Sequence, residues 1–412
     1  MSAVDDRGHP ADADESDSTH APERALSRRA LLFGAGATAG LIAGAAGGTG
    51  IALAASRGTD PAAAPAPSGT ATAAVPGAPV VAAGLHQGGI AAPAMPQQHC
   101  IVAIGDLTLA DLRGTLTALG TQILRATDAA APLTDLTPGG VGDTTVTIGL
   151  GPRALAATGH PDLAGVVALP DFAGDPALSP ERRGGDILLS VNASDPVVLE
   201  PILHSLTALL PGFALRWSDF GYRGAVEGTA TRNPFGYLDG IKVPHGPAEF
   251  DENVWIASGP LAGGTVCVIR RFALAVDAFR QLAPDARDAT VGRSQVSGAP
   301  LSGGIVTDDV DLTAKSPNGD LLVPARSHAR AAHPSFTGSA LMLRRSYSYR
   351  ASAADQGHMF ISYQADVQTF ARTQLRLDEI DDMMRFATPT ATAAFAVLPG
   401  FSASSPLGST LF

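Results

Sequence analysis

From residue 99 the chain alternates between short apolar runs of strand length and longer stretches with an apolar residue every three or four positions. Residues 100–104 read as a strand. Residues 108–127 place Leu112, Leu116, Leu119 and Ile123 on one helical face, the stripe with which a helix packs on a sheet. Residues 144–150 alternate at period two, and 186–191 form another strand. Asp195 followed by Pro196 reads as a helix cap with proline at the first helical position. The buried stripe of that helix is Leu199, Ile202, Leu206 and Leu209, and residues 213–217 close the series as a strand. The order is βαββαβ, a ferredoxin-like arrangement.

The second half repeats it. Residues 265–270 predict a strand and 276–282 a short helix. Strands over 339–349 and 358–364 flank the polar RASAADQG. A helix over 366–377 turns Val367, Phe370 and Leu377 inward, and 394–398 is the last strand. The expected fold class is α+β, with two ferredoxin-like domains in tandem over 96–235 and 236–412. Residues 283–338 form a long excursion with little regular patterning, and loops of that length are usually functional.

The first ninety residues have a different texture. Residues 1–23 are polar. Arg28 and Arg29 then precede a Gly/Ala-rich apolar run to about residue 55, with a small-residue cleavage site at Ala52-Leu53-Ala54. This is the pattern of a twin-arginine export signal over residues 1–55, which implies the twin-arginine export machinery as a partner and an extracellular or cell-envelope location. A transmembrane anchor is the competing reading, since the run is long enough to span. Its glycine content makes it weakly hydrophobic, so a cleaved signal is expected. Residues 56–95 are Ala/Pro/Gly-rich and read as a flexible tether.

Charge and composition narrow the function. The 412 residues carry a formal net charge of −11, which argues against nucleic acid as a partner. Cys100 and Cys267 are the only cysteines and lie in apolar runs; they read as buried thiols, with a long-range disulfide left open. No HExxH, GxSxG or strand-borne GxGxxG occurs, which sets aside zinc hydrolysis, a serine triad and a dinucleotide site. Among ten histidines, RSHARAAHPS (326–335) stands out. His328 could be an axial haem ligand and Arg330 a propionate partner; a surface histidine in a loop is the plain alternative. Asp239 is the other candidate, a lone carboxylate between Gly236 and Gly240 in the apolar NPFGYLDGIKVPHG.

Several motifs, in order, resemble the dye-decolourising peroxidase family of the exported type, including bacterial deferrochelatase/peroxidases. They are GLHQGGI, FGYLDG (the family's GxxDG), GGTVCVIRRF, GRSQVSGAPLSG, SHARAAHP, LMLRRSYSY and FISYQAD, over roughly residues 84–402. The resemblance implies haem b in the C-terminal domain, with His328 as the axial iron ligand, Asp239 as the distal acid and Arg344 as the distal arginine. It also implies haem-lining roles for Gly240, Ile241, Lys242, His333, Pro334 and Ser335, and a propionate contact for Arg330. His333, Ser346, Ile241 and Val243 depart from the family's usual residues. The implied reaction is reduction of hydrogen peroxide with an aromatic dye or phenol as electron donor. The alternative within the family is a haem-handling protein that releases iron from haem.

On this reading Asp239 takes a proton from peroxide and returns one to the leaving oxygen. Arg344 lowers the pKa of Asp239 and stabilises the departing charge, and Arg345 points to the opposite face of its strand. A carboxylate on His328 would raise its basicity; Asp381 and Asp382 are both candidates. Trp217, Trp255, Tyr347, Tyr349 and Tyr363 are candidate electron relays or simply core. The natural reductant and homo-oligomerisation are left open.

Overall fold

The central strands of this protein are buried on both faces, because the sheet curls until it meets its own edge and helices cover its outer side. In the first half, β1 (His99–Asp106), β2 (Thr145–Leu150), β3 (Ile187–Ala193) and β4 (Ala214–Tyr222) stand in the order β4-β1-β3-β2. Three pairs follow. β5 (Val226–Glu227), β6 (Ala230–Arg232) and β7 (Leu238–Asp239) form a small antiparallel sheet. The second half adds β8 (Thr265–Leu274), β9 (Leu343–Arg344), β10 (Tyr347–Arg350), β11 (Gln356–Gln364) and β12 (Ala387–Val397), in the order β12-β8-β11-β9. Each half thus has the ferredoxin-like order of last, first, third, second. The two join where β12 pairs with β2, and β10 bridges β11 to β4 at Ser348↔Tyr222, so the sheet closes on itself.

This computed structural model describes residues 77–128, 137–227 and 230–412. The expected export signal and most of the tether lie outside the described residues. Those described fall within one unit, Thr70–Phe412. The expected boundary at residue 235 falls between β6 and β7, inside the small sheet.

Two apolar layers follow from the pleat, which sends successive side chains to opposite faces. Ile101 and Ala103 of β1, with Val266 and Val268 of β8, pack outward against the helices Leu112–Ala126, Leu199–Thr207 and Val367–Ile380. Cys100, Val102 and Ile104, with Cys267 and Ile269, fill the interior with Trp217, Tyr347 and Tyr363. Burial of each Leu in the Leu112/Leu116/Leu119 stripe stabilises by about 1.5–3 kcal/mol. Double-sided burial also explains why β2, which alternates in sequence, is buried throughout.

Several expectations need correction in detail. Asp195 does cap a helical start, accepting from Val197 N, but the first turn is 3-10 and the helix proper ends at Thr207. Leu209 therefore lies beyond the helix and is exposed. The strand expected over 339–349 begins only at Leu343 and is interrupted at Arg345 and Ser346, although β9 and β10 keep one register along β11. The cysteines are free thiols, both buried. Among the described residues no helix is long and apolar enough to cross a membrane.

Candidate active site

The bulky residues around Asp239 are anchors. Phe235 and Tyr237 pack on Phe279, with ring centroids 4.4 and 6.1 Å apart. The Tyr237 hydroxyl donates to Asp288 at 2.6 Å, and Asn233 Oδ1 accepts from the Phe235 and Tyr237 amides. With both neighbours fixed, the short strand β7 presents Asp239 opposite Thr231. Gly236 and Gly240 adopt φ of +86° and +94°, a region that side-chain-bearing residues rarely enter. A Cβ on Gly240 would meet nothing within 4 Å, so its backbone borders open space.

Arg344 reaches Asp239 from β9. Its Nε donates to Asp239 Oδ1 at 3.4 Å, and its Nη1 donates to the Lys242 carbonyl at 3.0 Å. Arg345, the next residue, is buried and donates to the Pro93 carbonyl at 2.8 Å, consistent with alternation along a strand. Burial alone would raise the Asp239 pKa; Arg344, His358, Arg223 and His328 outweigh it and hold the carboxyl down at about 2. Asp239 therefore stands as a carboxylate over the whole neutral range.

His328 begins a short helical turn, His328–Ala331, packed on the helix Val367–Ile380. Its Nδ1–H donates to Asp381 Oδ2 at 2.6 Å, and Asp381 is fully buried while the imidazole is about one-third exposed, at 34%. Asp382 is turned away and accepts from Arg326. Burial pulls the His328 pKa down, and the Asp381 charge and hydrogen bond, with Asp239, more than reverse it. With Nδ1 so engaged, Nε2 has no hydrogen-bond partner among the described residues and keeps its lone pair.

The remaining candidates gather around Asp309, a residue of the excursion that sequence reading did not single out. Lys242 Nζ donates to Asp309 Oδ2 at 2.9 Å, and His333 Nε2 lies 3.7 Å from Asp309 Oδ1. His333 Nδ1 also accepts from Ser335 N, capping the turn Pro334–Thr337. Lys242 and His333 thus converge on the same carboxylate, Asp309. Arg330 is partly committed elsewhere: Nη1 donates to the Leu312 carbonyl at 2.6 Å, and its guanidinium lies 5.1 Å over the Phe336 ring. Trp217, Trp255, Tyr347, Tyr349 and Tyr363 are all core side chains.

His358 was missed altogether. It lies on β11 with Nε2 3.8 Å from Asp239 Oδ2. The available signal was its place two residues before Phe360 and four before Ser362, on one face of a strand whose Ser362 pairs with Arg344.

The C-terminal domain model of Dyp-type peroxidases matches residues 230–402. A DyP-type peroxidase from Cellulomonas bogoriensis, of known crystal structure, is 32% identical, with a TM-score of 0.73 over 82% of this chain and 99% of that one. A dye-decolorizing peroxidase of Thermobifida fusca is 33% identical over 279 residues, 61% of this chain and 64% of that protein. A deferrochelatase of Yersinia pseudotuberculosis is 28% identical over 52% of this chain and 54% of its own. The aligned stretches thus span between half and two-thirds of these two curated relatives. The ferredoxin-like order of both halves and these matches together place the chain in the DyP-type peroxidase family.

Proposed function

We propose that the protein is a haem b peroxidase that reduces hydrogen peroxide with electrons taken from dyes, phenols or similar donors. The observation that carries this reading is the His328–Asp381 contact set in the same electrostatic neighbourhood as the Arg344–Asp239 pair. The residues fit haem. His328 keeps Nε2 free for iron, Asp381 supports Nδ1, and Gly240 borders open space where a larger residue would intrude. Lys242, His333, Pro334, Ser335 and Ile241 would line the group's edge, with Arg330 as a weaker propionate partner because Leu312 already claims one of its N–H groups.

When bound, haem supplies the iron centre at which peroxide is reduced. The chain's own residues manage the proton and the charge. Asp239, ionised at neutral pH, accepts the proton that peroxide must lose and returns it to the oxygen that leaves as water. Arg344 stabilises negative charge on that oxygen; a preorganised donor of this kind typically contributes about 3 kcal/mol. Asp381 orients the His328 ring and raises its donor strength.

A second reading is favoured by the similarity to deferrochelatases: release of iron from haem, with peroxidase turnover incidental. Steady-state dye oxidation with peroxide, compared with the yield of iron-free porphyrin from added haem, separates the two. Turnover without porphyrin release supports the peroxidase reading; the converse supports the other.

Export is part of the proposal. Arg28 and Arg29 ahead of the apolar run would direct the folded protein through the twin-arginine route, with the mature chain beginning after residues 52–54. Replacing both arginines by lysine should trap the protein in the cytoplasm. Unchanged export of that double variant would point to another route.

A further inference from the structure

We propose that His358 is the proton partner of Asp239, so that the peroxide side of the site holds its exchangeable proton on an aspartate–histidine pair. The inference rests on the peroxidase reading and adds a residue to it. His358 Nε2 lies 3.8 Å from Asp239 Oδ2, while Arg344 holds the other oxygen, Oδ1. The carboxylate is therefore flanked on one oxygen by a permanent cation and on the other by a group that can carry a proton or not. The second ring nitrogen, Nδ1, is buried and has no hydrogen-bond partner among the described residues. A ring with one nitrogen toward a carboxylate and the other uncommitted is free to switch tautomers, which a proton-passing imidazole requires.

The surroundings keep that ring neutral. Burial lowers the His358 pKa most; Asp239 raises it, and Arg223, Arg344 and His328 lower it again, leaving it below the ordinary imidazole value. Arg223 is a cation placed for this: Nε and Nη1 are buried without partners among the described residues, and its guanidinium lies 5.3 Å over Tyr347. A polar cavity of about 10 Å³ is lined by Asp239, His358, Arg223, Thr231, Ser348 and Arg232, the last already paired with Glu227, and has room for about one water to continue the relay. Arg344 alone, fixed in charge, cannot carry a proton in either direction.

The consequence is a coupled titration. Above the pKa of the pair, Asp239 is ionised and His358 neutral, and a proton from a weak acid such as hydrogen peroxide or hydrogen cyanide can be shared between them. Once His358 is protonated, a further proton must go to a carboxyl held at about 2, and uptake fails. His358 acts through Asp239 and is a positioning residue in this sense.

The test uses the haem-loaded protein and cyanide, which must lose its proton on binding. Cyanide affinity is read from the Soret shift between pH 4 and 8 for wild type, His358→Leu and His358→Gln. Wild type should lose affinity as pH falls below the ordinary imidazole range. Both variants should bind at least about tenfold more weakly at pH 7, one pKa unit of lost acceptor strength being a factor of ten, and should show no acid limb in that window. A His358→Gln variant with wild-type affinity and profile would overturn the proposal, because the residue would then serve only as a polar filler. If both variants fail to hold haem, ring-carbon NMR of His358 in wild type and Asp239→Asn loaded with zinc protoporphyrin decides. The His358 pKa should fall when the Asp239 charge is removed; an unchanged pKa overturns the pair. Wild type that neither holds haem nor binds cyanide would instead bring down the peroxidase reading itself.

Discussion

His328 Nδ1 donates to Asp381 Oδ2 at 2.6 Å, and the carboxylate is fully buried beneath it. This contact sets the tautomer of the ring and decides which nitrogen faces a metal. Replacing Asp381 by Asn should speed loss of haem to a scavenging apoglobin by about 10–100-fold, the usual cost of removing a partner behind a metal ligand. An unchanged rate would mean that the contact is only packing.

Arg344 and Asp239 should not be equivalent under substitution. Arg344→Leu removes the fixed charge that bonds Asp239 directly, and the adjacent Arg345 is turned to Pro93. Asp239→Asn removes a proton acceptor, but the polar cavity of about 10 Å³ beside that side chain has room for a water that can stand in as the relay. The arginine variant should therefore react with peroxide more slowly than the asparagine variant, with a loss of about 10² or more against wild type. Stopped-flow mixing with peroxide, following the Soret band, ranks them. A crippled Asp239→Asn beside a near-native Arg344→Leu contradicts the ordering.

Asp239 also links stability to pH. Its carboxyl titrates at about 2 in the fold against 3.8 ordinarily. A depressed carboxyl contributes stability that is fully present above the unfolded value and is lost as pH falls through the folded one. The contribution is about 2 kcal/mol, present at pH 5 and above and fading between about pH 4 and pH 2. Urea unfolding of the haem-free protein should show wild type losing that amount relative to Asp239→Asn over this range. A gap that stays constant with pH would contradict it.

Arg270 and Asp175 form a bidentate pair, both bonds 2.8 Å, with the arginine wholly buried over Phe172. It ties β8 to a segment of the first half. Asp175→Ala strands a buried guanidinium and should cost about 3–5 kcal/mol, measured by chemical unfolding; a loss below about 1 kcal/mol, the scale of an exposed pair, would contradict burial.

How far the sequence speaks for this fold depends on whether a signal is local. The stripe of Leu112, Leu116, Leu119 and Ile123, and that of Val367, Phe370 and Leu377, are periodic and lie on buried helix faces as expected. Closure of the sheet at Ser348↔Tyr222 joins residues over a hundred positions apart, and no periodicity announces it. Asp239, His328 and Arg344 stood out through motifs. Asp381 could not be told from Asp382, because the choice depends on which way a turn after Ile380 faces. His358 gave only the faint signal of an imidazole among apolar strand residues, and its meaning comes from β11 running past Asp239. Asp309 lies in an aperiodic excursion and is visible only once Lys242 and His333 converge on it.

The central claim is that His328 holds haem iron, and the absorption spectrum of the purified protein tests it most directly. Wild type should show a strong Soret band that shifts on adding peroxide, while His328→Ala, purified alongside and folded by circular dichroism, should have lost tightly held haem and with it most of that band. A His328→Ala protein with a full Soret band and an unchanged ferric spectrum would contradict the account.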